Sequence, residues 1–513
     1  MAYGCYFQVD ALERDTLEVH RLIRSIKNMS APVNRIPSEV LSLIPCYYYE
    51  YGMDRDLIRW THVCRRWRGI LISCPSLWTR INLTNIDKTR TYIQRSQSSP
   101  LKLYLGSHNT TIDVFPLIIP HIHRLKSLTI NVLAFPSVLG HFRCYTPLLE
   151  ELSIRTYASN RPVLDGALFN GDLSSLRELR LTRVTTRLQW QNLANLRVVN
   201  LESCFQGRGI NRLLDFFESA PLLHTVDLGD QIRGPSDAPP ERMVALRHLK
   251  VFNISGTPPH SILLDHLHIP VGASLSSQFC FRGEKSPFLD HLPERSPNLS
   301  NLSDITAVKL LIGEERKYIQ LSGPSGSLRV LAAWKDHRAS PSYPVDRRIL
   351  LSLGQPTLSA IQTLAVFYYE HPRPTKSAKC SIFRTLSSTD NLRTLTLIRC
   401  NNLPFILALD PEQHPSGFVL CPGMEELVVY IYSWPSPPLK PLIDMAKNRA
   451  SRGVRLSLIA ILSPNDHSYG AVASKLRYHA TRVEYRVDSV QEPSWGNISG
   501  WGGSGWTWET VRR

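Results

Sequence analysis

Two pairs of histidines stand one residue apart, in HIH (121–123) and HLH (266–268). On a strand, alternate residues share a face, so each pair would present two imidazoles together, as metal sites do. Neither pair has a carboxylate or cysteine spaced to complete a coordination shell, which predicts a structural or surface role and no metal. Asp265 beside His266 is placed to orient an imidazole for base catalysis, but no nucleophile accompanies the pair. The stretches GRG (207–209) and GPSGS (323–327) lack both the Lys-Ser/Thr and the GxGxxG frame of a phosphate cradle, and read as turns. Ten cysteines lie far apart with no CxxC pair, which gives a zinc site little support. These residues predict no catalytic constellation, no cofactor and no enzyme.

A different chemistry is suggested by THVCRRWRGILISCPSLW (61–78). Arginines around tryptophan are one way to grip nucleic acid. The net charge of +16, from 59 Lys+Arg against 43 Asp+Glu, favours acidic partners. That charge is thinly spread, however; the densest late cluster is Lys447, Arg449, Arg452 and Arg455. Wound as one helix over about Arg55–Ser73, the stretch separates into two faces. Leu57, Trp60, Val63, Cys64, Trp67, Ile70 and Leu71 share an arc of roughly 140° at about 100° per residue. Arg59, His62, Arg65 and Arg66 fall opposite, and Arg68 sits near the apolar edge, where its stem can snorkel. The mixture is an amphipathic helix written on a line, so nucleic acid is not an expected partner.

Around this helix the punctuation is clear. Residues 10–30 read as a helix with a loose apolar stripe of Leu12, Leu17, Val19, Leu22, Ile23 and Ile26. Residues 31–34 form a break. Pro37 suits the first position of the next helix and Glu39 its first turn. Val40, Leu41 and Ile44 recur at helical spacing, and Pro45 is expected to end or kink that helix. Pro75 opens a short element at PSLW. The N-terminal stretch lacks the basic and apolar regions of a secretory signal, and no apolar run reaches the ~18 residues a membrane span needs. The expectation is a cytoplasmic or nuclear protein, not secreted and without a membrane partner, its cysteines reduced.

From about residue 100 a short unit recurs, with apolar residues at i, i+3 and i+5. Copies are LKSLTI (125–130), LEELSI (149–154), LRELRL (176–181), LRVVNL (196–201), LHTVDL (223–228) and LRHLKV (246–251). It returns at LDHLHI (264–269), IQTLAV (361–366), LRTLTL (392–397) and MEELVV (424–429), with LRVL (328–331) a partial copy. Each copy predicts a short strand whose i+3 and i+5 residues face the core. This is the LxxLxL core of a degenerate leucine-rich repeat. Cys204 and Cys400 occupy its following Asn/Cys position. Runs such as INRLLDFFESAP (210–221) read as outer helices, and no register is assigned between 270 and 325. The predicted fold is α/β: a small all-α three-helix domain followed by a solenoid with a curved parallel sheet. Residues between the core positions, Thr129, Ser153, Arg180, Asn200, Asp227, Lys250, His268, Thr396 and Val428, would then line the concave face, the usual binding surface of a solenoid. The boundaries are 1–34 for the N-terminal helix and linker, 35–83 for the helical domain, 100–490 for the solenoid and 491–513 for a Gly/Trp-rich flexible tail.

The block Ile36–Trp78 resembles an F-box. It has Ile36-Pro37-x-Glu39, then Val40, Leu41 and Ile44, then VCRRW (63–67) and PSLW (75–78). The family commonly has an apolar residue where Pro45 stands, and a downstream leucine-rich-repeat array is a frequent pairing. The resemblance implies a substrate-recognition subunit of a Skp-cullin-F-box E3 ubiquitin ligase. Its F-box would bind the Skp adaptor and its repeats a protein substrate. Carried onto this chain, Ile36, Pro37, Val40, Leu41 and Ile44 would face the adaptor, with Leu57, Val63, Cys64 and Trp67 in the same surface or the helix packing. The alternative is a protein-interaction scaffold outside any ligase; a basic nucleic-acid-binding repeat protein ranks behind both.

Overall fold

The computed structural model describes residues 2–49, 54–106, 112–131, 138–156, 163–164, 168–186, 193–204, 210–229, 242–256, 261–281, 298–312, 316–334, 360–368, 386–387, 389–398, 403–414, 417–430, 439–463 and 470–487. They form a mixed α/β protein, with a helical N-terminal region and a large, mostly parallel sheet. The chain divides into two units, Met1–Leu196 and Arg197–Arg513. The tail from 491, the GRG turn and Cys400 lie outside the described residues.

The first unit opens with α1 (Ala2–Ser30) and a 3-10 turn, Pro32–Arg35. α2 (Ser38–Tyr49), α3 (Asp54–Trp60) and α4 (Arg65–Ile72) follow. Two expectations are corrected here. Pro45 does not end its helix; it lies inside α2, buried. Its ring removes one backbone hydrogen bond, at a cost of about 3 kcal/mol, and its burial offsets part of that. The single helix over 55–73 is broken into α3 and α4. The Thr61 hydroxyl donates to the Ile58 carbonyl at 2.6 Å, in local competition with the helical ladder. Cys64 is then fully extended, with φ −158° and ψ 172°, and stands at the N-cap position of α4 without a side-chain capping bond.

α5 (Ile86–Ser96) starts at Asn85, whose side chain accepts from the Lys88 N–H at 2.9 Å. The strands β1 (Arg80–Asn82), β2 (Leu101–Leu105), β3 (Leu125–Asn131), β4 (Glu151–Arg155) and β5 (Glu178–Thr182) pair in that order, all parallel. Leu103, Leu128, Leu152 and Leu179 are in register on the buried face. The HIH histidines lie on a 3-10 helix, Ile119–Arg124, rather than on a strand, so the alternation expected for them does not hold.

In the second unit β6 (Val198–Glu202), β7 (Thr225–Gly229), β8 (Val251–Gly256) and β9 (Ser274–Phe281) run parallel and adjacent. Chain order then breaks. β10 (Ala307–Ile312), β11 (Arg316–Gly323) and β12 (Gly326–Trp334) form an antiparallel excursion, in which β12 returns beside β9 and β10 lies beside β13 (Thr363–Tyr368). This is why no repeat register is legible between 270 and 325. GPSGS is the hairpin turn between β11 and β12, as a turn is expected there. A Cβ on Gly323 would sit 1.8 Å from the Asp304 carbonyl oxygen, so only glycine fits. β14 (Thr394–Ile398), β15 (Glu426–Tyr430), β16 (Leu456–Ser463) and β17 (Ala480–Val487) continue in parallel. Three helices of this unit are α6 (Ile210–Ser219), α7 (Leu403–Leu409) and α8 (Leu439–Ser451). α6 is the amphipathic INRLLDFFES run, and it buries Ile210, Leu213, Leu214, Phe216 and Phe217.

One local device recurs. The apolar residue that opens a unit donates its N–H to the carbonyl three residues back: Leu149 to Thr146, Leu176 to Leu173, Leu196 to Leu193, Leu223 to Ala220, Leu249 to Leu246, Leu392 to Thr389 and Met424 to Cys421. The turn leaving the strand also repeats. Arg183 and Ser203 both take φ 57°, which sends Val184 and Cys204 into the core.

Two of the strand assignments are shifted by this ladder. LRHLKV is not a strand; β8 begins at Val251, and Phe252 and Ile254 fill the core positions opposite Val226 and Leu228. The overlapping match Leu249-x-x-Phe252-x-Ile254 satisfies the same pattern three residues later, and pairing with β7 selects it. LDHLHI forms a short helix, Ser261–Asp265, and then pairs Leu267–His268 with Val244–Ala245, apart from the main sheet. The place beside β8 is taken by β9.

Candidate functional site

Helices α2, α3 and α4 are built around a small core. Leu41, Leu57, Trp67 and Leu71 are buried. The Trp67 indole donates to Asn34 Oδ1 at 3.0 Å, and the Arg66 guanidinium donates to the Ile36 carbonyl at 2.7 Å. Both bonds tie α4 to the segment that enters α2. Trp78 is also buried. Its indole donates to the Leu71 carbonyl at 2.9 Å, its ring meets Tyr92 edge-on, and the Arg95 guanidinium lies 4.3 Å from its centroid. The arginine–tryptophan pair of this region is therefore an internal contact.

The residues expected to face an adaptor separate into two groups. Leu41, Leu57 and Trp67 hold the helices together. Val40 and Ile44 remain 45% and 40% exposed, Pro37 is exposed, and Ile36 is half-buried. Val63, at 55% exposure, projects from the α3–α4 turn, and Cys64 is half-buried. Leu43 and Tyr47, not singled out from the sequence, are exposed on the same helix. Positions 40, 43, 44 and 47 lie at i, i+3, i+4 and i+7, so α2 presents one continuous apolar stripe. That spacing was available in the sequence. Pro45 obscured it by marking an end to the helix.

The second surface is the sheet face turned away from the core. In the first unit, register aligns Tyr104, Thr129, Ser153 and Arg180 across β2 to β5. In the second it aligns Asn200, Asp227, Asn253, Ser276 and Arg329, then Gln320, Lys309, Ala365, Thr396 and Val428. Thr129, Ser153, Arg180, Asn200, Asp227 and Thr396 thus stand where the repeat pattern puts them. Lys250 does not. Its N–H donates to the His224 carbonyl one residue ahead of β8, and Asn253 takes the face position. His268 is off this sheet altogether.

The row carries local charge. Asn200 donates to Asp227 Oδ2 at 3.0 Å; burial, and then the charge of Glu202, raise the Asp227 carboxyl above its ordinary value. On the antiparallel excursion, Lys309 and Arg329 flank Gln320, which accepts from the Tyr318 hydroxyl at 3.1 Å. Burial and the Arg329 charge lower the Lys309 ammonium, and Arg329 Nε is buried without a hydrogen-bond partner. This basic pair had no sequence signal, because only the reversed strand brings 309 and 329 together.

Among the described residues no group of three or more His, Cys, Asp or Glu is arranged to hold a metal ion. No helix of the described residues is long and apolar enough to cross a membrane. Residues 33–84 match the model of the F-box-like family. No curated protein matches the chain. The chain therefore carries an F-box-like domain, of the kind that serves F-box/Skp-type protein interaction, ahead of a large, mostly parallel sheet.

Proposed function

We propose that this chain is a non-catalytic substrate receptor of a Skp-cullin-F-box ubiquitin ligase, acting in the cytoplasm or nucleus. The observation that carries the reading is the apolar stripe of Val40, Leu43, Ile44 and Tyr47, exposed on α2 inside the matched F-box-like segment. An exposed apolar stripe on a short helix is suited to burial against a partner. In this reading the Skp adaptor covers that stripe and a cullin scaffold is recruited through it. The parallel strands are those of a degenerate leucine-rich-repeat solenoid, supported by the turn that precedes seven of the units and by the positive-φ turn that follows two of the strands. The polar part of the aligned row, Asn200, Asp227, Asn253, Arg329, Gln320 and Lys309, is the surface for a protein substrate.

The test is co-purification of the intact chain with a Skp adaptor. Wild type is expected to retain the adaptor, and the variant Val40→Glu with Ile44→Glu to lose it. A wild-type chain that is folded yet retains no Skp adaptor would overturn the proposal.

A further inference from the structure

α1 turns its apolar residues to solvent. Val9, Leu12, Leu17, Val19, Leu22, Ile23, Ile26 and Met29 are between 47% and 69% exposed. Five of these eight, with Thr16, form a regular seam. Val9, Leu12, Thr16, Val19, Ile23 and Ile26 follow one another at alternating steps of three and four residues, the a and d positions of a heptad. At about 100° per residue they fall within an arc of roughly 100°. Arg21, Ser25 and Asn28 lie on the other side of the helix. They line a cavity together with Cys64, Arg65 and Arg66 of the F-box-like domain. The seam therefore points away from that domain, and a helix of 29 residues stands with its a/d positions uncovered.

A 3-4 seam is complementary to another helix. The charge pattern says which. Asp10, Glu13, Asp15 and Glu18 occupy the first half of α1, and Arg21, Arg24 and Lys27 the second, with Arg14 the one exception. A parallel copy would set acid against acid and base against base. An antiparallel copy sets each acidic half beside a basic half, within the range where unscreened charges interact. We propose that α1 pairs with α1 of a second copy of this chain in an antiparallel, two-stranded coiled coil. Val9 then packs against Ile26, Leu12 against Ile23 and Thr16 against Val19. The pairing is argued from α1 alone and uses no residue of α2 or the sheet, so it stands independently of the ligase reading.

Light scattering of the full-length chain tests the pairing. Wild type is expected at the mass of two chains, and Val19→Glu with Ile23→Glu at the mass of one. Arg14→Gln, on the outer side of α1, is expected to stay dimeric. Because two glutamates can also unwind α1, cysteine cross-linking provides a second readout. A bismaleimide is expected to join Val9→Cys chains to Ile26→Cys chains in a mixture, above the wild-type background, and to join neither variant to itself. A wild-type chain with the mass of one copy overturns the proposal, and so does self-linking of Val9→Cys.

Discussion

The Trp67 indole donates to Asn34 Oδ1 across 33 positions of sequence, at 3.0 Å. One hydrogen bond thus fixes α4 against the turn that launches α2, and with it the orientation of the α2 stripe. Trp67→Phe keeps most of the buried ring and loses the bond, so a destabilisation of about 1 kcal/mol is expected. Trp67→Ala should cost about 3–5 kcal/mol. Denaturant unfolding of the two variants measures the difference, and equal effects would remove the bond from the account.

Leu41 and Val40 are neighbours in sequence and opposites in structure, 1% and 45% exposed. Leu41→Glu buries a charge in the helical core and is expected to unfold the domain. Val40→Glu should leave the thermal midpoint within about 2 °C, since surface changes stay near ±0.5 kcal/mol, while adaptor retention falls. Parallel thermal melts and adaptor pull-downs separate these outcomes.

Arg449 is fully buried on α8 and donates to the carbonyls of Leu420 and Cys421 at 2.8 and 2.9 Å. Those carbonyls belong to the turn before β15, where Cys421 has φ 46° and its thiol is pushed up to about 11 by burial. Arg449→Met fills the space and removes both donors, so a loss of about 2–4 kcal/mol is expected. Calorimetry should show a lowered midpoint; an unchanged one would mean that the turn holds without the arginine.

Asp227 has a raised carboxyl pKa in the folded protein, from burial and then the charge of Glu202. The folded state therefore holds the proton more tightly than the unfolded chain does. Stability should rise as pH falls through the window between the unfolded and the folded value, then level off. Asp227→Asn removes the charge and keeps an acceptor for Asn200. It is expected to be more stable than wild type at neutral pH, and to lose that advantage in acid. Melting curves across pH check the sign.

On the sheet face, Arg329 and Lys250 make opposite predictions. Arg329→Glu reverses a charge in the aligned row, whereas Lys250→Glu acts outside it. Affinity capture followed by mass spectrometry under proteasome inhibition should lose proteins with the first and keep them with the second. Equal recovery from both would place the substrate surface elsewhere.

The sequence by itself determined the F-box-like block, because Pro37, Trp67 and the Pro75–Trp78 turn are local signals. It also determined nine of the seventeen main-sheet strands among the described residues, because LxxLxL states which residues must be buried whatever lies beside them. Helix α6 was legible for the same reason. Three things were decided only by tertiary structure. That Pro45 stands inside α2, and not at its end, is one. Whether the strand after Leu246 used LRHLKV or LKVFNI depended on pairing with β7, since both satisfy one pattern. The reversal that puts β12 beside β9 and brings Arg329 near Lys309 depended on strand partners far apart in sequence. Periodicity names a face to be buried; it does not name the neighbour that buries it.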